Sequence, residues 1–322
     1  MKKRIIEMLE KADGYVSGEE ISEKLGITRS GVWKHINSLK SEGYEITSVR
    51  NRGYKLNASP DLLSEEKIRQ RMHGSLLGSR ITVMKTVDST NEEVKRRAHE
   101  GAESGLIVAS ESQTAGKGRF SRKWSSGSDG GLYFSFLLRP ELPPSDMAGI
   151  TLACGHAVCQ AIREYTGLPA QIKWPNDIII GRKKVCGILT EMAAQSDQVD
   201  YVVTGIGINV NNPSFPEEIA DKADSLYLET GEKLDRNEFF ACVINHLDRV
   251  IQNYLVSLSI EDIEQFKSLC ATIGKEVSVQ RGNIQYKGKA FDVAPTGELM
   301  ILTEDGRELS VNSGEVTVQG IY

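Results

Sequence analysis

The sequence predicts an α+β protein in three segments: a winged helix-turn-helix over residues 1–58, a central α+β layer with a largely antiparallel sheet over 63–271, and a small β-barrel over 272–322. Three observations predict it. The first segment carries two short helical patterns around a tight turn, followed by an alternating hairpin. In the middle, strand-like runs follow one another without a helix between them, which argues against a doubly wound sheet. The last stretch breaks into short β-rich pieces separated by turn signals. With 39% hydrophobic and 26% charged residues in a chain of 322, there is apolar surface for a sizeable core and for two or three domains.

In "SGEEISEKLGITRSGVWKHINSLKSEGYEI", Ile21 and Leu25 share a helical face, Gly26 can take the left-handed position after a helix, and Thr28 can cap the next one. The second helix buries Val32, Ile36 and Leu39 and turns Thr28, Arg29, Ser30, Lys34 and Asn37 outward, an arrangement suited to reading a DNA groove and holding phosphates. "YEITSVRNRGYKL" then alternates like a hairpin whose tip carries Arg50 and Arg52, a basic wing. A three-helix packing module without nucleic acid has the same spacing, and the basic tip favours DNA. Charge agrees: residues 1–58 hold 11 Lys and Arg against 8 Asp and Glu, although the chain as a whole stands at −5.

The polar linker "NASPDLL" marks the first boundary and a short amphipathic helix is expected around 64–72. Strand-like runs follow at "GLIVASES", "GLYFSFLLRP", "AQIKW", "DIII", "KVCGILTEM" and "DYVVTGIGINV", with helical periodicity over about 145–166 and again over 235–270. The barrel strands are "KEVSVQ", "IQYKGKAFDV", "ELMILT", "ELSV" and "EVTVQ". The amino terminus "MKKRIIEMLEKADG" interrupts its apolar residues with charge, and no run approaches a membrane span, so the cytoplasm is the expected location. Five cysteines without a C-x-x-C pair supply neither a disulfide framework nor a zinc set, and no metal ligands are assigned.

Four clusters in the middle segment hold more polar and glycine residues than core strands need. In "DSTNEE", Ser89, Thr90 and Asn91 can each cap the helix that follows, or together bind a compact ligand rich in amide-like groups. In "GKGRFSRKW", preceded by Gln113, Gly118 lets the backbone approach an anion, and Lys117, Arg119 and Arg122 can supply charge-assisted bonds of about 1.5–3 kcal/mol each where water is excluded. Such a loop should lack structure of its own when empty, and Trp124 at its end offers a flat face for an aromatic base. A solvated basic loop is the plain alternative. In "KWPNDIIIGRKKVCGILTE", Asn176 and Asp177 start a strand, and Lys184 follows across a hairpin turn at Gly181, either as an ordinary cross-strand pair or as a polarising lysine with an orienting carboxylate. In "GIGINVN", Gly205 and Gly207 clear space and Asn209 presents an amide.

Together, "DSTN", the basic glycine loop, "KWPND", "KVCGIL" and "GIGINV" resemble the biotin protein ligase family, and with the first segment they resemble its bifunctional form, which is also the biotin operon repressor. The resemblance spans nearly the whole chain and implies an SH3-like barrel at the carboxy end. It implies that biotin is activated with ATP and Mg²⁺ to biotinyl-5′-AMP and passed to a lysine of a biotin carboxyl carrier protein domain of acetyl-CoA or pyruvate carboxylase. A homodimer on operator DNA, with no membrane partner, completes what it implies. It places Ser89, Thr90, Asn91, Gln113, Lys117, Gly118, Arg119, Lys184 and Gly187 around biotin, and Arg119, Arg122, Trp124, Asn176, Lys184 and Asn209 around the nucleotide. Lys184, Arg119 and Asp177 are the catalytic candidates. Lys117 stands where many members carry Arg, keeping the charge without the two-pronged geometry, and Ser121 stands where many carry Gly. A ligand-sensing transcription factor without catalysis, and a ligase for lipoate, are the alternatives.

Overall fold

The structure, a computed structural model, describes every residue except 42, 79, 128–129, 196, 261, 282–283 and 313. The chain divides into two compact units, Met1–Leu62 and Leu63–Tyr322. In the first, helices α1 (Lys2–Glu10), α2 (Gly18–Leu25) and α3 (Arg29–Ser41) bury Ile5, Leu9, Ile21, Val32, Ile36 and Leu39 in a core of their own. The turn is built as its sequence demands. Gly26 ends α2 at φ +66°, and the Thr28 hydroxyl accepts the Gly31 N–H at 3.1 Å to start α3. The wing is the antiparallel hairpin of β1 (Glu45–Val49) and β2 (Gly53–Ala58). Gly53 is required there: at φ +104°, an added Cβ would lie 2.0 Å from the Val16 carbonyl oxygen, where the wing bridges back to the helices.

In the second unit the helix expected over 64–72 is a single turn, α4 (Glu65–Arg69). The central sheet runs in the order β3 (Arg80–Met84), β4 (Leu106–Ser110), β5 (Leu132–Leu138), β9 (Gln198–Ile208), β8 (Lys183–Gln195), β7 (Asp177–Ile180), β6 (Gln171–Lys173). Only β3 and β4 are parallel; every other neighbouring pair is antiparallel. Strand alternation sends Ile107, Phe134, Phe136, Val202 and Ile206 to one face, against α6 (Ile150–Thr166) and α8 (Arg236–Ser257). The opposite face takes Leu106, Val108, Leu137 and Val203, which pack under Val94 and Ala98 of α5 (Thr90–His99). α6 starts at Ile150 rather than near 145 because Pro144 opens a 3₁₀ turn that ends at Met147. Short helices α7 (Leu226–Thr230) and α9 (Ile263–Leu269) complete the layer.

The carboxy-terminal strands β10 (Glu276–Arg281), β11 (Ile284–Val293), β12 (Leu299–Thr303), β13 (Glu308–Val311) and β14 (Glu315–Val318) form one antiparallel sheet in the order β13-β12-β11-β10-β14. All five strands expected of the small barrel are present, and among the described residues they form an open sheet with β13 and β14 at its edges. After β14 the chain turns at Gly320 (φ +78°), where the Ile321 N–H donates to the Val318 carbonyl at 3.2 Å. The sheet shares its core with the central layer, Val277, Val279, Leu299 and Ile301 joining the same cluster as α6 and α8. Trp174, 1% exposed, ties the two together, its indole N–H donating to the buried Gly297 carbonyl at 2.9 Å and its backbone N–H to Thr272 Oγ1 at 3.0 Å. Trp174→Phe keeps the apolar ring and orphans that carbonyl, so urea unfolding should show a loss of about 1–3 kcal/mol.

Candidate functional site

The site lies on the α5 face of the central sheet, where the alternation that fills the other face with Phe and Ile leaves small residues. Ser135 of β5 sits opposite Gly205 of β9, which sits opposite Leu189 of β8. In the next row Tyr133 faces Gly207, and Gly207 faces Gly187. Neither glycine of β9 can gain a side chain: a Cβ at Gly205 would meet Asn91 Oδ1 at 2.0 Å, and one at Gly207 the Trp124 ring at 2.5 Å. Over this floor Ser89, Thr90 and Asn91 lie buried. Ser89 occupies the cap position of α5 without making a side-chain cap bond, so capping is not what these residues do. Gln113 Oε1 instead accepts from the Thr90 N–H at 2.8 Å, and the Ser135 hydroxyl bridges Thr90 Oγ1 (2.7 Å) and Asn91 Oδ1 (2.6 Å). The Asn91 amide donates to Glu191 Oε2 at 2.7 Å. The result is a satisfied, buried polar network, which fixes its members in one orientation.

The basic loop is a hairpin and not a strap without structure. Gly118 N–H bonds the Arg122 carbonyl at 2.7 Å, Trp124 N–H bonds the Gly116 carbonyl at 2.9 Å, and a short 3₁₀ turn spans Arg119–Ser121. The expectation overlooked that the protein supplies its own acceptors. Arg119 donates to Asn176 Oδ1 (3.0 Å) and to the Gly314 carbonyl (2.8 Å), and Lys117 donates to Glu92 Oε1 (2.8 Å). The Lys117 bond holds the Glu92 carboxyl below its usual range, with Lys95 adding to it against a partial burial penalty. That tie is present at neutral pH and is lost as acid carries the solution through the lowered value. At the tip, Phe120 (φ 55°) and Ser121 (φ 58°) are both left-handed, which gives the glycine common in the family a physical reason.

Lys184 is the centre of the arrangement. Gly181 turns β7 into β8 at φ +58°, and Lys184 Nζ stands 2.6 Å from Asp177 Oδ1 and 5.2 Å from the Trp124 ring centroid. Three cavities adjoin it. A narrow slot of about 50 Å³ holds Ser89, Thr90, Asn91, Gln113, Lys117 and Gly187, together with Gly118 and Arg119. A basic cavity of about 470 Å³ brings Arg119, Arg122, Lys123, Lys173 and Lys222 around Asn176 and Asp177. A third, of about 270 Å³, is walled by Phe215, Pro216, Ile219 and Trp124. Lys184 and Trp124 line all three.

Asn209 reaches the third cavity, but its amide is committed to the Asp224 carbonyl at 2.9 Å, while its backbone N–H holds the Val185 carbonyl at 2.8 Å. It braces the strand that carries Lys184. Sequence reading missed Ser135 and Glu191, although a lone serine inside "LYFSFLL" was a signal, and it missed Lys173, Lys222 and Tyr322, which nothing local announced. Metal-capable side chains gather outside the cavities, at Glu164, Cys242 and His246 on α6 and α8. Burial pushes the Cys242 thiol up to about 11, away from the thiolate a metal would take.

In the first unit, Arg29, Lys34, Asn37, Arg50 and Arg52 are exposed. Arg29 meets Glu19 at 2.6 Å, and Arg52 lies over the Tyr15 ring at 4.7 Å. Thr28 and Ser30 share a hydroxyl contact at 3.0 Å beside the cap of α3. Trp33, 58% exposed on the same helix, was not anticipated.

In the second unit a polar slot, a basic cavity and an apolar one meet at a single lysine, and the first unit is a winged helix-turn-helix. Residues 83–209 match the biotin/lipoate A/B protein ligase family, residues 2–55 an HTH domain, and residues 272–318 the biotin protein ligase C terminal domain. The bifunctional ligase/repressor BirA of Bacillus spizizenii is 37% identical over 309 residues, 95% of this chain and 95% of that protein. A biotin--[acetyl-CoA-carboxylase] ligase of Mycobacterium tuberculosis is 32% identical over 79% of this chain and 95% of its own length. Among solved structures, the biotin protein ligase of Aquifex aeolicus in complex with biotin and ATP has a TM-score of 0.66 at 34% identity, covering 75% of this chain and 99% of that one. The chain belongs to the biotin/lipoate A/B protein ligase family.

If the hairpin tip is strained as its backbone indicates, Ser121→Gly should leave the unfolding midpoint unchanged or raise it. Ser121→Val, with a branched side chain at the same φ, should cost about 1–2 kcal/mol by urea titration.

Proposed function

We propose that this chain activates biotin with ATP to biotinyl-5′-AMP, transfers biotin to a lysine of a biotin carboxyl carrier protein domain, and, with the adenylate as corepressor, binds operator DNA as a homodimer. The observation that carries the reading is the position of Lys184, a cation held by Asp177 where the three cavities meet. The polar slot suits the ureido ring, the apolar cavity suits adenine, and the basic cavity suits the phosphates between them.

In the first step a biotin carboxylate oxygen bonds to the α-phosphorus of ATP and the bond to the β-phosphate oxygen breaks, releasing pyrophosphate. Two anions must approach, and Lys184, Arg119 and Arg122 offset their repulsion and take up charge on the phosphorus oxygens. Mg²⁺ would supply charge neutralisation at the phosphates, and Asp177, the acidic residue lining the basic cavity, would be the side chain nearest to hold it, although it is paired with Lys184. In the second step the acceptor amine nitrogen bonds to the carbonyl carbon, AMP leaves, and a proton is released.

The slot has room for a few water-sized groups, so Trp124 and the hairpin must shift to admit a bicyclic ring. Arg119 then exchanges Asn176 and the Gly314 carbonyl for the ligand's oxygens, and closure keeps water from the anhydride. If that closed state favours the homodimer, two winged units meet an inverted repeat at once, and repression rises when acceptor is scarce. We place this work in the cytoplasm, where operators and carboxylases meet.

Biotin-dependent exchange of pyrophosphate into ATP tests the reading. Exchange with biotin supports it, none with any acid favours a sensor without catalysis, and exchange with lipoate alone favours the other substrate. Arg119→Gly should leave a folded enzyme that releases biotinyl-AMP early, and an unchanged off-rate removes Arg119 from that role. Operator binding should weaken steeply with salt, and Lys34→Ala or Arg50→Ala should each lower the log–log salt slope by about 1.

A further inference from the structure

The carboxy-terminal sheet lines the basic cavity with Val316, Thr317 and, past its last strand, Tyr322. After β14 the chain turns at Gly320, Ile321 packs into the core at 6% exposure with its N–H on the Val318 carbonyl (3.2 Å), and the Tyr322 ring enters the space between the second and third cavities. Its hydroxyl donates to Asp177 Oδ2. Lys173 Nζ, itself 7% exposed, stands 3.5 Å from the centre of the same ring. The two oxygens of Asp177 are therefore divided: Oδ1 faces Lys184 at 2.6 Å and Oδ2 takes the phenol.

We infer that Tyr322 is a positioning residue for adenylate formation, fixing the plane of the Asp177 carboxylate so that Lys184 is held at the junction of the three cavities. A carboxylate bonded through one oxygen can swing about its own axis and carry its lysine with it. Held by an ion pair at one oxygen and a hydrogen bond at the other, it cannot. Burial and, next, the Asp177 charge push the Tyr322 phenol well above its ordinary range, so the hydroxyl keeps its proton at any working pH and remains a donor. Tyr254 ends on the Asp146 backbone carbonyl at 2.7 Å, and Tyr165 on the Glu238 carboxylate, which lines none of the three cavities. Tyr322 ends on the one carboxylate that pairs with Lys184. The role rests on the ligase reading, because it acts through a lysine placed at the reacting phosphate.

Tyr322→Phe in the full-length chain removes the donor and keeps the ring beside Lys173. The turnover of biotin-dependent ATP–pyrophosphate exchange should fall about tenfold, as expected for losing a bond to a charged group. The KM for biotin should stay within about twofold, since the polar slot is untouched. In an Asp177→Asn background the same substitution should cost nothing further, because Tyr322 acts through that carboxylate. In ¹³C-tyrosine NMR at neutral pH, the resonance missing from Tyr322→Phe should change its shift between the wild type and Asp177→Asn, a readout that needs no activity. Full turnover in Tyr322→Phe, an equal loss in both backgrounds, or an unmoved resonance overturns the role while leaving the ligase reading intact. A wild-type enzyme with no exchange overturns the reading and the role together.

Discussion

The Lys184–Asp177 pair is the constraint on which the site depends. A lysine ammonium on a flexible stem is a poor fixed charge, and it becomes a good one only when its partner is rigid. Asp177 is rigid because it opens a strand of the same hairpin, beside Asn176, whose amide donates to the Ile188 carbonyl at 3.1 Å. Lys184 is gripped from behind: its backbone N–H bonds the Lys222 carbonyl at 2.8 Å, and its carbonyl accepts the Asp224 N–H at 2.9 Å. Both side chains are only partly exposed, 25% and 14%, so their attraction is less screened than that of a surface pair.

Around that fixed charge, the sheet works by subtraction. One face buries phenylalanines and isoleucines against two helices, and the other omits side chains at 187, 205 and 207, so that backbone, Trp124 and Asn91 can close over a slot. Thr90 and Asn91 are already tied there through Ser135, Gln113 and Glu191, while the buried Trp124 indole N–H has no partner. A ligand rich in amide-like groups would thus enter a network whose orientation is set beforehand, which lowers the ordering cost of binding.

The cations of the hairpin 116–124 need not wait for a ligand to find partners. Glu92, Asn176 and the Gly314 carbonyl hold them meanwhile. An anion entering there would meet an exchange of acceptors, a smaller free-energy change than folding a free loop. The exchange also makes the carboxy-terminal sheet part of the site, since Gly314 and the lining residues Val316 and Thr317 belong to it.

The sequence by itself determined the winged helix-turn-helix, the antiparallel bias of the central layer and the five carboxy-terminal strands, because these follow from periodicity, capping and turn residues close together in the chain. It also brought forward Lys184 and Asp177, seven positions apart across one glycine turn. Tertiary structure alone decided the rest. That Asn91 meets Ser135, that Asn209 braces instead of presenting its amide, that β14 ends in an open edge, and that Tyr322 reaches Asp177 across 145 positions of chain are all matters of long-range packing. Local spacing carries no record of such contacts, since which face of which strand meets which loop is settled only when the whole core is buried.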